Sequence, residues 1–153
     1  MDTPTAGSDR YFRTRRSTRS LLLVALAVTV AAVSSWLSLQ LASGVTQLSD
    51  TSYATEFMEP ISYGIGTVVS VSLSALAAVD RWHLGAAALV VTIGIQLMMM
   101  TEVVRLYGES GWSDGLEVLG YLGPFTALVV GAVLVLACGL IGRSLRSRAR
   151  GVG

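Results

Sequence analysis

Residues 60–101 read PISYGIGTVVSVSLSALAAVDRWHLGAAALVVTIGIQLMMMT. Two runs without a charged side chain, Pro60–Val79 and Leu84–Thr101, flank only Asp80, Arg81, Trp82 and His83. Bilayer hydrocarbon is about 30 Å thick, and a helix needs about 20 residues to cross it. Both runs have that length. The short break between them cannot carry the chain back across a membrane, so the runs pair as an antiparallel hairpin of transmembrane helices. Pro60 suits the first position of its helix, where the missing N–H would be unbonded anyway. Asp80 suits the cap at the start of the next one.

Outward from this hairpin, Leu21–Ser43 and Val118–Ile141 are also free of charge. The reading is an all-α, polytopic membrane protein. Its antiparallel four-helix transmembrane bundle occupies 20–143, with spans at about 21–43, 60–79, 84–104 and 118–142. Residues 1–19 form a polar, basic tail expected to be disordered. Residues 144–153 form a second basic tail. The stretches 44–59 and 107–117 are polar and acidic and read as loops. Composition agrees: 14% of the 153 residues are charged, against about 25% in soluble domains, and mean hydropathy is +0.63.

The charges sort by side. With four spans, the tails and the Asp80 turn share one face, which holds ten arginines and three acids, a balance of +7. The other face holds Arg105 and seven acids, a balance of −6, and together they give the chain's +1. Basic residues stay in the cytoplasm when short loops are inserted. The expected placement is therefore the cell membrane, multi-pass, with both termini cytoplasmic. Arg15-Arg16 followed by Leu21–Val33 is also the layout of a secretion signal. That run is long for a signal and no clear A-x-A site follows it, so a retained span is the expectation.

Polar groups inside hydrocarbon are costly and usually face other helices. The larger ones gather in the half of the bundle nearest the acidic loops. Gln40, Tyr63, Thr67, Gln96, Tyr121 and Thr126 are candidates for a polar pocket there, or for a closed hydrogen-bond network between helices. Gln40 lies on the opposite face of its helix from Ala31, Ser35, Ser38 and Ala42. Pro124 is expected to bend the fourth helix. Ser62, Gly66, Ser70 and Ser74 recur every four residues, as do Gly123, Ala127 and Gly131. Small residues at that spacing let backbones approach closely, so these are a candidate helix-packing seam. Glu102 and Arg105, three apart at the end of the third span, form a candidate edge ion pair.

No chemistry is legible beyond this. The three consecutive methionines Met98–Met100 point about 100° apart and cannot share an ion. His83 and Cys138 have no ligand or nucleophile partners nearby in sequence, and Cys138 reads as a small buried hydrophobe. No phosphate loop, HExxH motif or acid–base pair is present. The expectation is no enzyme, no cofactor, no metal and no nucleic-acid partner. The partners expected are the lipid bilayer and other membrane subunits or further copies of the chain, and the arginine tails suit anionic lipid head groups. The functional expectation is an accessory, assembly or anchoring subunit of a membrane complex. The alternative is a small-solute or ion transporter or channel acting as an oligomer.

Overall fold

The computed structural model describes residues 6–47, 53–110 and 121–150. The elements are helices α1 (Ala6–Gln47), α2 (Tyr53–Asp80), α3 (Trp82–Ser110) and α4 (Leu122–Arg150). All four are long and apolar enough to cross a membrane, over Ser17–Ser43, Ile61–Asp80, Trp82–Leu106 and Leu122–Arg148. The end of the bundle at the α2–α3 turn is called the basic end below, and the opposite one the acidic end.

The helices are longer than the uncharged runs. α1 has 42 residues, about 63 Å at about 1.5 Å per residue. It begins within the stretch expected to be a disordered tail. α3 runs on to Ser110, into the expected loop, and α4 runs on to Arg150, through most of the expected tail. Once a span exists, each added residue gains a hydrogen bond without a new nucleus. Arginine is also a good helix former, so the basic flanks propagate the spans.

The two prolines do not act as expected. α2 starts at Tyr53, so Pro60 lies inside the helix, about two turns from its start. Pro124 is the third residue of α4 and fully buried. In a first turn the missing N–H has no intrahelical acceptor to lose, so Pro124 fits the first turn of α4 without breaking a helix hydrogen bond. The turn itself is shorter than expected. Arg81 alone separates α2 from α3. Its N–H donates to the Ala77 carbonyl at 3.0 Å, and its carbonyl accepts from Leu84 and Gly85 at 3.0 and 3.2 Å. Arg81 therefore holds the cap position anticipated for Asp80, which instead closes α2.

α2 and α3 form the middle of the bundle and each packs on all the other helices, whereas α1 and α4 lie on opposite flanks without touching each other. α1 buries Ala27, Ala31, Ser35, Ser38 and Ala42, a single face at three- and four-residue spacing. The apolar core, Val71, Ala75, Ala78, Leu89, Ile93 and Val135, joins α2, α3 and α4 from mid-bundle to the basic end, with Cys138 packed against it.

Small residues set the helix spacing. A Cβ at Gly66 would collide with Ser34 of α1, and one at Gly142 would collide with the Val79 backbone of α2. In lipid, apolar burial does not by itself draw helices together, so such close packing matters more than in water.

Candidate functional site

The larger buried polar side chains, Thr67, Thr92 and Gln96, lie where α2 and α3 meet, from mid-bundle toward the acidic end. Thr92 and Gln96 stand one turn apart on α3, and both are fully buried. Gln96 Nε2 donates to Thr67 Oγ1 at 2.9 Å, and that hydroxyl donates to the Tyr63 carbonyl at 2.8 Å. Thr92 turns its hydroxyl back onto the Leu89 carbonyl of its own helix at 2.9 Å. One amide and one hydroxyl thus tie α3 to α2, with Tyr63 one turn farther along.

This network is incompletely satisfied. Among the described residues, the buried atoms Gln96 Oε1, Tyr63 Oη and, on α1, Ser35 Oγ have no hydrogen-bond partner. A buried polar atom left unpaired costs roughly 1–3 kcal/mol. Gln96 offers an acceptor, and the Tyr63 phenol can donate or accept.

The six pocket candidates separate into three groups. Gln96, Thr67 and Tyr63 are brought together. Tyr121, just before α4, donates instead to Thr101 Oγ1 of α3 at 3.3 Å, more than one turn beyond Gln96. A Cβ at the neighbouring Gly123 would lie 3.8 Å from Tyr63 Cε1, so the start of α4 covers Tyr63. Gln40 and Thr126 are exposed on the flanking helices and do not join the group. The sequence gives depth in the bilayer from distance along a helix. It leaves open which way each helix turns toward its neighbours.

The seam candidates face different helices. Ser62 shares a hydrogen bond with Ser38 of α1 at 2.9 Å, and Gly66 abuts Ser34 one turn farther on. Ser70 and Ser74 are buried and donate to the Thr67 and Ser70 carbonyls of their own helix at 3.1 and 2.8 Å. The Ser74 carbonyl lies where a Cβ at Gly85 of α3 would be. On α4, Gly131 abuts Leu89 and Val71, and Ala127 packs against the apolar core. Gly85 and Gly142 carry close contacts but fall outside the four-residue repeats, so the repeat pattern does not reveal them.

Arg105 pairs with Glu102 at 2.9 Å and also with Glu109 at 2.9 Å, with all three side chains substantially exposed. Glu109 is four residues on, a spacing that would have pointed to it had α3 been taken as helical past Leu106. Exposed pairs of this kind anchor a helix end and contribute little stability.

The basic end carries contacts that the sequence did not suggest. Arg146 donates to the Gly142 carbonyl at 2.8 Å and to the Asp80 carbonyl at 3.0 Å, clamping α4 to the end of α2. The Arg143 guanidinium sits over the Trp82 ring, 5.8 Å from its centroid. Trp82 meets His83 edge to face at 6.3 Å. Among the described residues, no group of three or more His, Cys, Asp or Glu side chains could hold a metal ion. Comparison with protein-family models, with curated proteins and with solved structures finds no match.

Proposed function

We propose that this chain is a multi-pass protein of the cell membrane, with both termini cytoplasmic, that serves as a non-catalytic accessory, assembly or anchoring subunit of a membrane complex. One observation carries this reading. The polar group around Gln96 and the basic end are separated by packed apolar side chains of α2, α3 and α4, Val71, Ala75, Ala78, Leu89, Ile93 and Val135. A solute path needs polar or ionisable groups that reach both faces. Here the serines nearest that layer, Ser70 and Ser74, spend their hydroxyls on their own helix. α1 and α4 meanwhile offer apolar side chains on opposite flanks, such as Val33 and Val133 at 57% and 62% exposure. Lipid covers such flanks, and so do the helices of a larger assembly.

Photo-crosslinking residues placed singly at Val33, Val133 and Val68 test this in native membranes. The expected result is one discrete membrane-protein adduct from the α1 or α4 position, which then co-purifies in mild detergent at fixed stoichiometry. Recovery of the chain as a clean homo-oligomer, with crosslinks only to itself, would count against the reading.

The orphaned acceptor of Gln96 and the Tyr63 phenol favour a second reading, in which a small polar solute enters the acidic-end half of an oligomeric transporter. Its mark would be solute flux in proteoliposomes that Gln96→Leu abolishes. Flux that persists in that variant would remove Gln96 from any transport role.

A further inference from the structure

Two cavities meet at the basic end and share Trp82 and Arg143. One, of about 180 Å³, runs along the apolar surface of α4 past Val135, Leu136, Gly139 and Leu140. The other, of about 420 Å³, is an open groove bounded by the α2–α3 turn and the end of α4, with Arg81, His83, Arg143 and Arg146 among the residues on its walls. Gly139 keeps the first one open: a Cβ there would lie 3.1 Å from Trp82 Cβ. An apolar surface groove along α4 thus adjoins an open, arginine-bearing groove, called the chamber below, at the basic end.

Among the described residues, no ion pair cancels the charge of that chamber. The ion pairs among the described residues belong to Arg105 at the other end of the bundle. Arg146 is bonded to two neutral carbonyls, and no carboxylate pairs with it among the described residues. Arg81 and Arg143 are exposed. Asp80 lines the chamber too, so three guanidiniums face one carboxylate. A phosphodiester matches the surplus, and guanidinium is the side chain best shaped to hold its oxygens.

The geometry points to a binding site for one anionic phospholipid, with its phosphate between Arg81 and Arg143 and an acyl chain in the slot between Trp82 and Leu136. Arg143 lies over the Trp82 ring, a weak contact at an exposed site, which biases its guanidinium toward the groove. A choline head group would bring a second cation into an already cationic chamber. Phosphatidylglycerol is accordingly favoured over phosphatidylcholine. The site does not depend on what the subunit assembles with, nor on which leaflet the basic end occupies.

Trp82 is its own reporter. In the full chain carrying Trp36→Phe and Trp112→Phe, Trp82 is the remaining tryptophan. This protein is reconstituted in mixed phosphatidylcholine–phosphatidylglycerol vesicles with brominated acyl chains on one lipid or the other, at equal mole fraction of brominated lipid. The expected result is preferential quenching by brominated phosphatidylglycerol, reflecting an enrichment of about fivefold or more over the bulk bilayer. Arg81→Gln with Arg143→Gln removes the preference. A variant keeping only Trp36, on the exposed face of α1, is quenched alike by both lipids. Equal quenching of Trp82 by the two lipids would overturn the proposal, as would a Trp36 preference equal to that of Trp82. The main comparison retains the native arginines and so does not rely on a charge-depleted variant folding.

Discussion

Gln96 is the largest fully buried polar side chain of the bundle, and only half of its amide is satisfied. Its two neighbouring substitutions should therefore differ in cost. Thr67→Val removes the acceptor of Nε2 and leaves the whole amide unpaired, at a cost of about 1–2 kcal/mol. Gln96→Leu removes the bond together with the orphaned Oε1, while the Thr67 hydroxyl keeps the Tyr63 carbonyl. It should lie within about 0.5 kcal/mol of the native protein, and in the Thr67→Val background it should recover most of the loss. Reversible unfolding of the four proteins in bicelles gives this double-mutant cycle. A Gln96→Leu cost as large as that of Thr67→Val would show that Oε1 does have a partner. The sequence made Gln96 and Thr67 conspicuous because large polar groups are rare in uncharged spans. It did not exclude Gln40, near the end of its span, or Thr126, because polar side chains in a span need not face a neighbour and a hydroxyl can bond back to its own helix. Ser72 and Thr101 are exposed and satisfied by carbonyls four residues back in their own helix, at 2.7 and 2.9 Å.

At the scale of the helices, glycine separates contact from freedom. Gly66 abuts Ser34 of α1, whereas Gly94 has nothing within 4 Å of where its Cβ would be. The same change should thus have opposite signs at the two positions. Gly66→Ala drives α1 from α2 and costs about 1–3 kcal/mol, and Ser34→Gly in the same chain should restore most of it. Gly94→Ala meets no obstacle and gains helix propensity, up to about 1 kcal/mol. Thermal unfolding in a single detergent ranks the variants, and equal destabilisation by both alanines would refute the α1–α2 contact. The stripe through Ser62 and Gly66 was legible because a four-residue repeat is local to one helix. The Gly85 and Gly142 approaches were not, since each depends on two helices meeting at one height. The helix limits were misread for a related reason. Charge marks where hydrocarbon ends, but hydrogen bonding within α1 and α4 continues through the arginines beyond it.

At the scale of the whole molecule, four helices long and apolar enough to cross a membrane were readable, because a backbone in lipid must satisfy itself within each helix and length and charge suffice to find such runs. The order of packing, with α2 and α3 central and α1 and α4 apart, was not readable, since every span is apolar enough to occupy any position. The proposed orientation rests on a different physical term, the tendency of arginine to stay on the cytoplasmic side during insertion. The Arg81 turn, the start of α1 and the end of α4 all lie at the basic end, so one choice of side satisfies all three at once. In a chain carrying Cys138→Ser, single cysteines at Ser113 and Ser147 read that choice in intact cells. A membrane-impermeant maleimide should label Ser113→Cys at once and Ser147→Cys only after permeabilisation. Moving charge should move the protein: replacing Arg13, Arg15, Arg16 and Arg19 with glutamine, and adding arginines beside Asp50, weakens the bias at the first span, which usually sets the orientation of those that follow. A mixed population should then appear, with some chains labelled at Ser147→Cys from outside. Undiminished protection of Ser147→Cys in that variant would mean that the first arginine cluster does not govern insertion, and that the turn and the end of α4 hold the orientation without it.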